Sequence, residues 1–324
     1  MLSSQAQPID SAFFERRIAA AEALRRRVVE NSTAYRLVHG EGDLLPGLIV
    51  DRYGDCFTIQ TLDQGMERAK ATIAEILSRM FAPEAIAERN DAAVRKHENL
   101  PLTAGVICGS LAGPVDVQMN GLDLVADLLH GQKTGIYLDQ RENYLAAARY
   151  AHGRALDCFT STGGFALHLA RSCEHVEAVD SSETALLAAV ANRDRNGLTN
   201  VSFREADVFD LLTSYASGRR TFDTVVLDPP AFTKSRSARE GALRGYKEIN
   251  RRALQLLGSG GILISCSCSH HVSEAALLEL IAEAALDTGR TLRVVERRTQ
   301  SRDHPILLTV PETLYLKCLV FDVV

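Results

Sequence analysis

The sequence has no apolar run long enough to cross a bilayer, and it has no tryptophan. Residues 1–8 contain no basic stretch followed by an apolar core, so they do not form a secretory signal. We therefore expect a cytoplasmic protein without a membrane partner. Hydrophobic residues make up 46% of the 324 residues and charged residues 24%, which is typical of a globular protein. A chain of this length predicts two domains, or one domain with a large extension.

The cysteines show neither a disulfide framework nor a zinc motif. All seven are scattered along the chain, and their odd number is typical of reduced thiols. Only Cys266 and Cys268 are close in sequence, and the adjacent His270 and His271 lie too near to them to complete a tetrahedral site. We expect no metal. The net charge of −5 neither supports nor excludes RNA as a partner, because basic residues can still be clustered.

Residues 157–165 form a Gly-rich turn that follows an apolar run and leads into a segment with helical spacing. A strand that ends in such a turn and opens a helix places bare backbone at the carboxyl edge of a sheet, where nucleotide cofactors bind. The turn has no G-x-G-x-x-G motif, and Asp157 ahead of its glycines would repel a pyrophosphate. The ammonium and sulfonium of S-adenosylmethionine would be attracted instead. An ordinary loop whose glycines serve only the turn is the alternative.

We predict three parts along the chain. Residues 1–34 have apolar side chains at helical intervals and are expected to form an N-terminal helix. Residues 35–130 alternate short strands with Gly and Asp turns, and Asn120-Gly121 is a strong hairpin signal. This pattern predicts a central α+β domain that contacts RNA or substrate. Residues 131–324 are expected to form the catalytic domain.

From residue 154 onward, strand and helix patterns alternate with short links, which predicts an α/β fold. The expected architecture is a Rossmann-like, doubly wound sheet of seven strands, joined to the smaller N-terminal α+β domain. The last two predicted strands, 291–297 and 314–323, have no helical pattern between them. We therefore expect these two strands to pair antiparallel at one edge of the sheet, with the last strand antiparallel, as in class I methyltransferases.

Acidic side chains follow three successive strands of this sheet. Asp157 lies at the end of the first strand, Asp180 ends the second and Asp207 follows the third. Asp180 is placed to accept hydrogen bonds from both ribose hydroxyls of an adenosine, and Asp207 to accept from the adenine amino group. Each is also explained as a helix cap. Three acidic residues at the ends of successive strands, together with the Gly-rich turn, favour S-adenosylmethionine as the cofactor.

The fourth strand ends in Asp228-Pro229-Pro230-Ala231-Phe232. Two prolines after a strand make a rigid loop whose carbonyls take no part in sheet pairing. A rigid wall of acceptors, with a phenylalanine for stacking, suits a planar, nitrogen-containing acceptor such as a nucleobase. A core position for Phe232 is the alternative.

The fifth strand leads into Cys266-Ser267-Cys268-Ser269 at the same edge. The C5 atom of a pyrimidine becomes nucleophilic only after a thiolate adds to C6, so a cysteine here predicts carbon methylation. Buried packing is the alternative for both cysteines. Both are expected on one side of the strand. We choose Cys268, which lies further out, as the nucleophile and keep Cys266 as the second candidate.

These motifs resemble those of bacterial 23S rRNA cytosine-C5 methyltransferases whose full-length members begin with a PUA domain. The resemblance extends from about Tyr35 to the C-terminus. The motifs that carry it are Gly40-Glu41-Gly42-Asp43, Leu45-Pro46-Gly47-Leu48, Val50-Asp51-Arg52-Tyr53, Glu88-Arg89, Val94-Arg95, residues 133–141, Thr162-Gly163-Gly164-Phe165, Asp228-Pro229-Pro230-Ala231-Phe232, Cys266-Ser267-Cys268-Ser269, His304-Pro305, Pro311-Glu312 and Tyr315-Leu316-Lys317. Because the residues before Tyr35 predict a single helix, we expect this chain to lack the β-rich PUA domain.

The resemblance implies an enzyme that uses S-adenosylmethionine and has 23S rRNA as its substrate. It implies Cys268 as the nucleophile and Asp228 beside the base and the cofactor. The residues predicted to bind the cofactor are Lys133, Tyr137, Asp157, Phe159, Ser161, Gly163, Gly164, Asp180, Ser181, Asp207, Asp228 and Pro229. The residues predicted to bind the substrate are Gln140, Arg141, Pro230 and Phe232.

Two other functions stay open at this point. A guanine-N methyltransferase of rRNA would use a similar D-P-P-x-F core without covalent catalysis. A protein that binds S-adenosylmethionine and RNA without turnover would serve as an assembly module. The sequence also leaves the oligomeric state open, a homodimer included.

Overall fold

A computed structural model of the chain describes residues 6–131, 133–232 and 239–324, apart from the side chain of Arg239. The chain divides into two compact units. The first comprises Met1–Asp139 and Ser301–Thr313, and the second comprises Gln140–Gln300 and Leu314–Val324. This division differs from the three predicted parts in three respects. Residues 131–139, predicted as the start of the catalytic domain, belong to the first unit. The N-terminal helix belongs to the same unit as the central domain, and a late segment of the chain returns to that unit.

The first unit is built on a five-stranded sheet with the order β1-β2-β3-β4-β5. Its strands are β1 (Ala34–His39), β2 (Leu48–Tyr53), β3 (Cys56–Thr61), β4 (Ala85–Asn90) and β5 (Thr103–Gly109). β3 and β4 are parallel, whereas the other neighbours are antiparallel. Helix α2 (Gln64–Phe81) makes the parallel connection. Asp63 caps it by accepting from the Met66 amide at 2.8 Å.

Helix α1 (Ser11–Val28) begins at Asp10, whose side chain accepts from the Phe13 amide at 2.9 Å. One face of the helix is apolar and buried, and it belongs to the same core as side chains of β1 and β2. The helix is therefore part of the first unit and no separate element.

The hairpin predicted at Asn120-Gly121 is confirmed. It joins β6 (Val115–Met119) to β7 (Leu122–Ala126) as a two-stranded antiparallel sheet. Both turn residues have positive φ, 55° and 73°, as a tight hairpin turn of this kind requires.

The second unit is a seven-stranded sheet with the order β10-β9-β8-β11-β12-β14-β13. The strands are β8 (Arg154–Cys158), β9 (His175–Asp180), β10 (Val201–Glu205), β11 (Phe222–Leu227), β12 (Leu257–Ser267), β13 (Leu292–Arg298) and β14 (Lys317–Val323). The helices are α3 (Arg141–Tyr150), α4 (Gly164–Leu169), α5 (Glu183–Arg195), α6 (Val208–Ser217), α7 (Arg239–Leu256) and α8 (Glu274–Thr288). β14 is antiparallel to both of its neighbours, which confirms the predicted class I methyltransferase sheet.

The order of the strands determines where a ligand binds. The chain passes outward from β8 to β9 and β10, and then crosses back to β11 and β12 on the other side of β8. Parallel sheets of this kind bind ligands at the carboxyl ends of the strands where the direction reverses. Cys158 of β8 pairs with Leu227 of β11, so the turns after these two strands are neighbours.

Candidate active site

The turn after β8 has an unusual backbone. Phe159, Ser161 and Gly163 all have positive φ, at 65°, 50° and 90°, a conformation that costs energy for residues other than glycine. The Thr160 amide donates to the Val179 carbonyl at 2.9 Å, and this bond ties the turn to β9. Backbone strain of this kind is found mainly at binding and catalytic sites. The turn is therefore the first part of the candidate site.

Asp157 lies beneath this turn and is fully buried. Its Oδ2 accepts from the Thr160 hydroxyl at 2.6 Å and from the Ala166 amide at 2.9 Å, whereas its Oδ1 has no hydrogen-bond partner. Burial raises the pKa of this carboxyl to about 7; the Thr160 hydrogen bond opposes the rise, and the nearby charge of Asp228 adds to it. Asp157 thus fixes the turn, and no cationic side chain among the described residues compensates its charge.

Asp180, at the end of β9, fixes the same turn from the other side. Its Oδ2 accepts from the Ser161 amide at 2.8 Å, and its Oδ1 accepts from the Ser182 amide at 2.9 Å. Each carboxylate oxygen can accept a second hydrogen bond, so the half-buried side chain keeps capacity for ribose hydroxyls. The neighbouring Ser181 is exposed.

Asp207 is an exposed helix cap. Its Oδ1 accepts from the Asp210 amide at 3.1 Å at the start of α6. The alternative explanation from the sequence therefore accounts for this residue in the structure. A contact with adenine stays a prediction.

Asp228 directly follows β11 and lies beside the turn. Its amide is 3.4 Å from the Cys158 carbonyl, and its Oδ1 accepts from Gln140 Nε2 at 3.0 Å. Gln140 is buried and accepts from Asn143 Nδ2 at 2.6 Å, so its side chain is fixed at the start of α3. In this structure Gln140, which was predicted to bind substrate, orients the Asp228 carboxylate. Of the two prolines that follow, Pro229 is buried and Pro230 is exposed.

Phe232 is half-buried and packs against three other aromatic rings. The distances between ring centroids are 6.5 Å to Phe159, 5.8 Å to Phe209 and 4.7 Å to Tyr246. This packing supports the core interpretation of Phe232. Arg141 is only 1% exposed and lies 3.6 Å from a Glu142 carboxylate oxygen, so its guanidinium is not at the surface.

Lys133 and Tyr137 belong to the first unit. The Lys133 Nζ is 2.7 Å from an Asp139 carboxylate oxygen and 4.3 Å from the centre of the Tyr137 ring. Within that unit the three side chains form one small cluster. The role predicted for Lys133 and Tyr137 at the cofactor stays a prediction.

The two cysteines after the fifth predicted strand differ in exposure. Cys266 lies within β12, fully buried and paired across the sheet with Cys318, and burial raises the pKa of its thiol. Cys268 lies one residue beyond the end of β12 and is half-buried. The hydroxyls of Ser267 and Ser269, on either side of Cys268, are each 3.0 Å from the Tyr246 hydroxyl. This geometry favours Cys268 as the thiol that reaches a substrate.

Tyr246 and Lys317 are the residues near this edge to which the sequence analysis gave no role. Tyr246 is fully buried on α7, and Lys317 is the first residue of β14. No spacing in the sequence marks Tyr246, because the two serines that its hydroxyl contacts are 21 and 23 residues away. Lys317 belongs to Tyr315-Leu316-Lys317, one of the motifs that carry the family resemblance, and no other pattern in the sequence marks it.

The side chains at this edge fit S-adenosylmethionine. Asp157, Asp180 and Asp228 supply negative charge and acceptors for an ammonium, a sulfonium and ribose hydroxyls. The Ser161 hydroxyl is buried and has no hydrogen-bond partner among the described residues, so it can bind a polar group of the cofactor. Within the described ranges, no group of three or more His, Cys, Asp or Glu side chains could hold a metal ion. No described helix is both long and apolar enough to span a bilayer.

Comparison with known proteins agrees with this site. A family model described as S-adenosylmethionine-dependent methyltransferase matches residues 35–322. The ribosomal RNA large subunit methyltransferase I of Shewanella denitrificans is 44% identical over 321 residues, which is 97% of this chain and 81% of that protein. The protein of the same name from Klebsiella pneumoniae is 43% identical over 318 residues, which is 96% of this chain and 80% of that protein. A candidate SAM-dependent methyltransferase from Streptococcus mutans has the same fold, with a TM-score of 0.86 at 20% identity, over 99% of this chain and 84% of that one.

The relatives also correct one expectation, that this protein lacks an N-terminal PUA domain. A match over 96% of the chain includes most of the residues before Tyr35, so the relatives have a corresponding segment there. The helix in these residues does not replace the domain and is no evidence against it. That expectation is wrong. The fold, the site and the family model together show that the chain belongs to the S-adenosylmethionine-dependent methyltransferases.

Proposed function

We propose that this enzyme transfers a methyl group from S-adenosylmethionine to C5 of a cytosine in 23S ribosomal RNA, through a covalent bond between Cys268 and C6. The observation that carries this proposal is the half-buried Cys268 thiol at the carboxyl edge, just beyond β12, the strand next to the one that Asp228 follows. The named activity of the relatives, methylation of large-subunit ribosomal RNA, supports the acceptor. A ribosomal RNA substrate in turn favours a cytoplasmic location.

In this mechanism the Cys268 thiolate adds to C6, and the electrons of the C5–C6 double bond move to C5. The nucleophilic C5 then bonds to the methyl group that S-adenosylmethionine would supply as an electrophile, while the bond from this methyl group to the sulfonium sulfur breaks and leaves a neutral thioether. A base removes the remaining proton from C5, the double bond re-forms, and the Sγ atom leaves as a thiolate. An exocyclic amine would need no such addition, so the thiol is what favours carbon methylation.

The other side chains bind and orient the two reactants. Asp180 accepts from the ribose hydroxyls, and the Asp157 charge beneath the turn attracts the cationic end of the cofactor. Asp228, oriented by Gln140, lies between the turn and Cys268. Asp207 would accept a hydrogen bond from the adenine amino group, and the exposed Pro230 would contact the target base.

A homodimer stays a prediction, and sedimentation equilibrium would check it.

The product is identified by nucleoside analysis of ribosomal RNA from a strain with the gene deleted. We expect that 5-methylcytosine disappears at one position and returns when the purified protein methylates that RNA. The appearance of a methylguanine would contradict the proposal and favour the guanine-N enzyme. Cofactor binding in calorimetry without methylation of any ribosomal RNA would favour the binding module.

The covalent step has its own test. We expect Cys268→Ala to abolish methylation while leaving cofactor affinity near that of the wild type, because the thiol does not bind the cofactor. Cys266→Ala is the matched control, and it should stay active because this thiol is buried against Cys318. RNA that contains 5-fluorocytosine should form a covalent adduct with the wild type and none with Cys268→Ala. Full activity of Cys268→Ala would exclude the covalent route.

A further inference from the structure

Lys317 lies against the segment that carries Cys268. It pairs with Ser267 across the sheet, and its Nζ donates to the Ser269 carbonyl at 2.7 Å and to the Tyr315 carbonyl at 2.8 Å. Cys268 is therefore flanked on both sides by residues that contact Lys317. One lysine on β14 fixes the backbone on either side of the proposed nucleophile.

The Lys317 ammonium is in a costly position. The residue is only 5% exposed, and both acceptors are neutral carbonyls. No carboxylate forms an ion pair with it in the described parts of the chain, and its third N–H has no acceptor there. Lysine is seldom buried without a paired charge, because loss of hydration disfavours the ammonium. A nearby anion would remove this cost.

Cys268 is the group that can become this anion. Burial lowers the pKa of Lys317 to about 8, whereas the charges of Cys268 and Glu274 raise it, so the lysine and the thiol interact electrostatically. Glu274 forms an ion pair with Arg297 instead. The other titratable groups that act on the residues of this segment are Asp228, Tyr246, His270 and His271. Burial raises the pKa of Tyr246, and the Cys268 charge adds to it. Burial lowers the pKa of His270, and the Lys317 charge lowers it further.

We infer that Lys317 is a positioning residue for the nucleophile: its ammonium stabilises the Cys268 thiolate and fixes the Ser269 backbone behind it. The thiol releases its proton to solvent, and Lys317 keeps its own three protons throughout. A cationic neighbour lowers the proton affinity of a thiol and so increases the fraction of reactive thiolate. The role in methylation rests on the proposed function, but the ionisation of the thiol does not.

The alternative is that Lys317 is purely structural and serves only the two carbonyls. Lys317→Gln separates the two explanations, because an amide still donates two hydrogen bonds but carries no charge. Lys317→Arg keeps the charge. Lys247→Met is the matched control, since Lys247 is a half-buried lysine of the same unit whose ion pairs are with Glu283 and Asp287.

The measurement is the rate of Cys268 alkylation by iodoacetamide as a function of pH, without cofactor or RNA. Peptide fragmentation in the mass spectrometer distinguishes Cys268 from Cys266. We expect the wild-type midpoint to lie below the ordinary thiol value of about 8.5. In Lys317→Gln it should rise by about one pH unit, which makes alkylation at pH 7 about tenfold slower. Lys317→Arg and Lys247→Met should keep the wild-type midpoint.

An unchanged midpoint in folded Lys317→Gln would overturn the inference. A wild-type midpoint at or above about 8.5 would overturn it too, even if no Lys317 variant folds. Failure of the proposed function gives a different result, namely a methylating Cys268→Ala enzyme, and leaves the alkylation midpoints to decide about Lys317. If the proposed function and the role of Lys317 are both correct, the methylation rate of Lys317→Gln should fall about tenfold at pH 7 and recover toward pH 9. Loss of structure alone would not produce this pH profile.

Discussion

Two buried ion pairs of the first unit contrast with two buried charges near the candidate site of the second. In the first unit, Arg25 Nη2 donates to Asp43 Oδ2 at 2.6 Å, and Arg36 bonds both oxygens of Asp51 at 2.8 and 3.0 Å. In the second unit, Asp157 keeps one oxygen without a partner, and Lys317 donates only to carbonyls. A buried charge without a partner costs stability unless a ligand compensates it. We therefore interpret the paired charges of the first unit as stabilising its fold, and the unpaired Asp157 and Lys317 as groups whose charge is compensated when a ligand or substrate binds.

The largest effect is expected for Arg25→Met, which tests whether the buried Arg25–Asp43 pair stabilises the first unit. The substitution leaves the Asp43 carboxylate buried without its cation, so we expect the free energy of unfolding of the first unit to fall by about 3–5 kcal/mol. Urea denaturation followed by circular dichroism measures it. Arg26→Met on the same helix is the control, because 76% of the Arg26 side chain is exposed and solvent screens its pair with Glu22, so the substitution should change stability little. Equal effects of the two substitutions would break the distinction.

The unpaired Asp157 carboxylate predicts a pH dependence of stability. Its pKa in the folded protein is about 7, above the unfolded value of about 3.9, so between these values only the folded state holds the proton. Its contribution to stability is therefore fully present at low pH and falls by about 1.4 kcal/mol per pH unit as the pH rises from 4 to 7. Unfolding measured across this range without cofactor should show the slope in the wild type and lose it in Asp157→Asn. The exposed cap variant Asp207→Asn should keep it, and a slope that survives in Asp157→Asn would assign it to another group.

A smaller effect is expected at Asp180, which supports the turn and has acceptor capacity left. Asp180→Ala removes the proposed ribose hydrogen bonds and the support of the Ser161 amide, so cofactor binding should weaken by about 1–3 kcal/mol. Isothermal titration calorimetry measures it. Asp194→Ala, an exposed carboxylate on α5 of the same unit, should bind the cofactor like the wild type. An unchanged cofactor affinity of Asp180→Ala would contradict the assignment of this residue to cofactor binding.

Tyr246→Phe should have the smallest effect on stability. It removes one buried hydroxyl that bonds both Ser267 and Ser269, which costs about 1 kcal/mol or slightly more. The methylation rate should fall by more than the small loss of stability explains, because Cys268 lies between these two serines. Tyr150→Phe is the control, since this tyrosine is partly exposed and the change should stay within about 0.5 kcal/mol. If both variants methylate like the wild type, the serine network does not position the thiol.

The sheet of the second unit and the hairpin of the first could be predicted from the sequence because local patterns determine them. Alternating strand and helix periodicity, the Gly-rich turn and Asn120-Gly121 each act over a few residues, and the structure has all of them. Side chains that meet across the fold were not predictable in this way. Arg25 lies in the last turn of α1 and is buried with Asp43, a partner 18 residues further along the chain that no local pattern indicates.

The same limit applied to the candidate site. Spacing marks Asp157, Asp180 and Asp228 as the ends of strands, and the structure places them at one edge. Spacing does not show that Gln140 orients Asp228 over a separation of 88 residues, or that Lys317 contacts Ser269 over 48. Contacts of this kind depend on the pairing of strands that are remote in sequence.

The return of residues 301–313 to the first unit has a consequence for synthesis on the ribosome. Asp303 is fully buried there; its carbonyl accepts from Arg25 at 2.7 Å, and its carboxylate accepts from the Arg36 amide at 2.9 Å. These bonds connect the first helix and strand of the chain to a segment translated near its end. The first unit therefore cannot reach its native state cotranslationally until residues 301–313 have emerged from the ribosome, and most of the second unit is synthesised before that point.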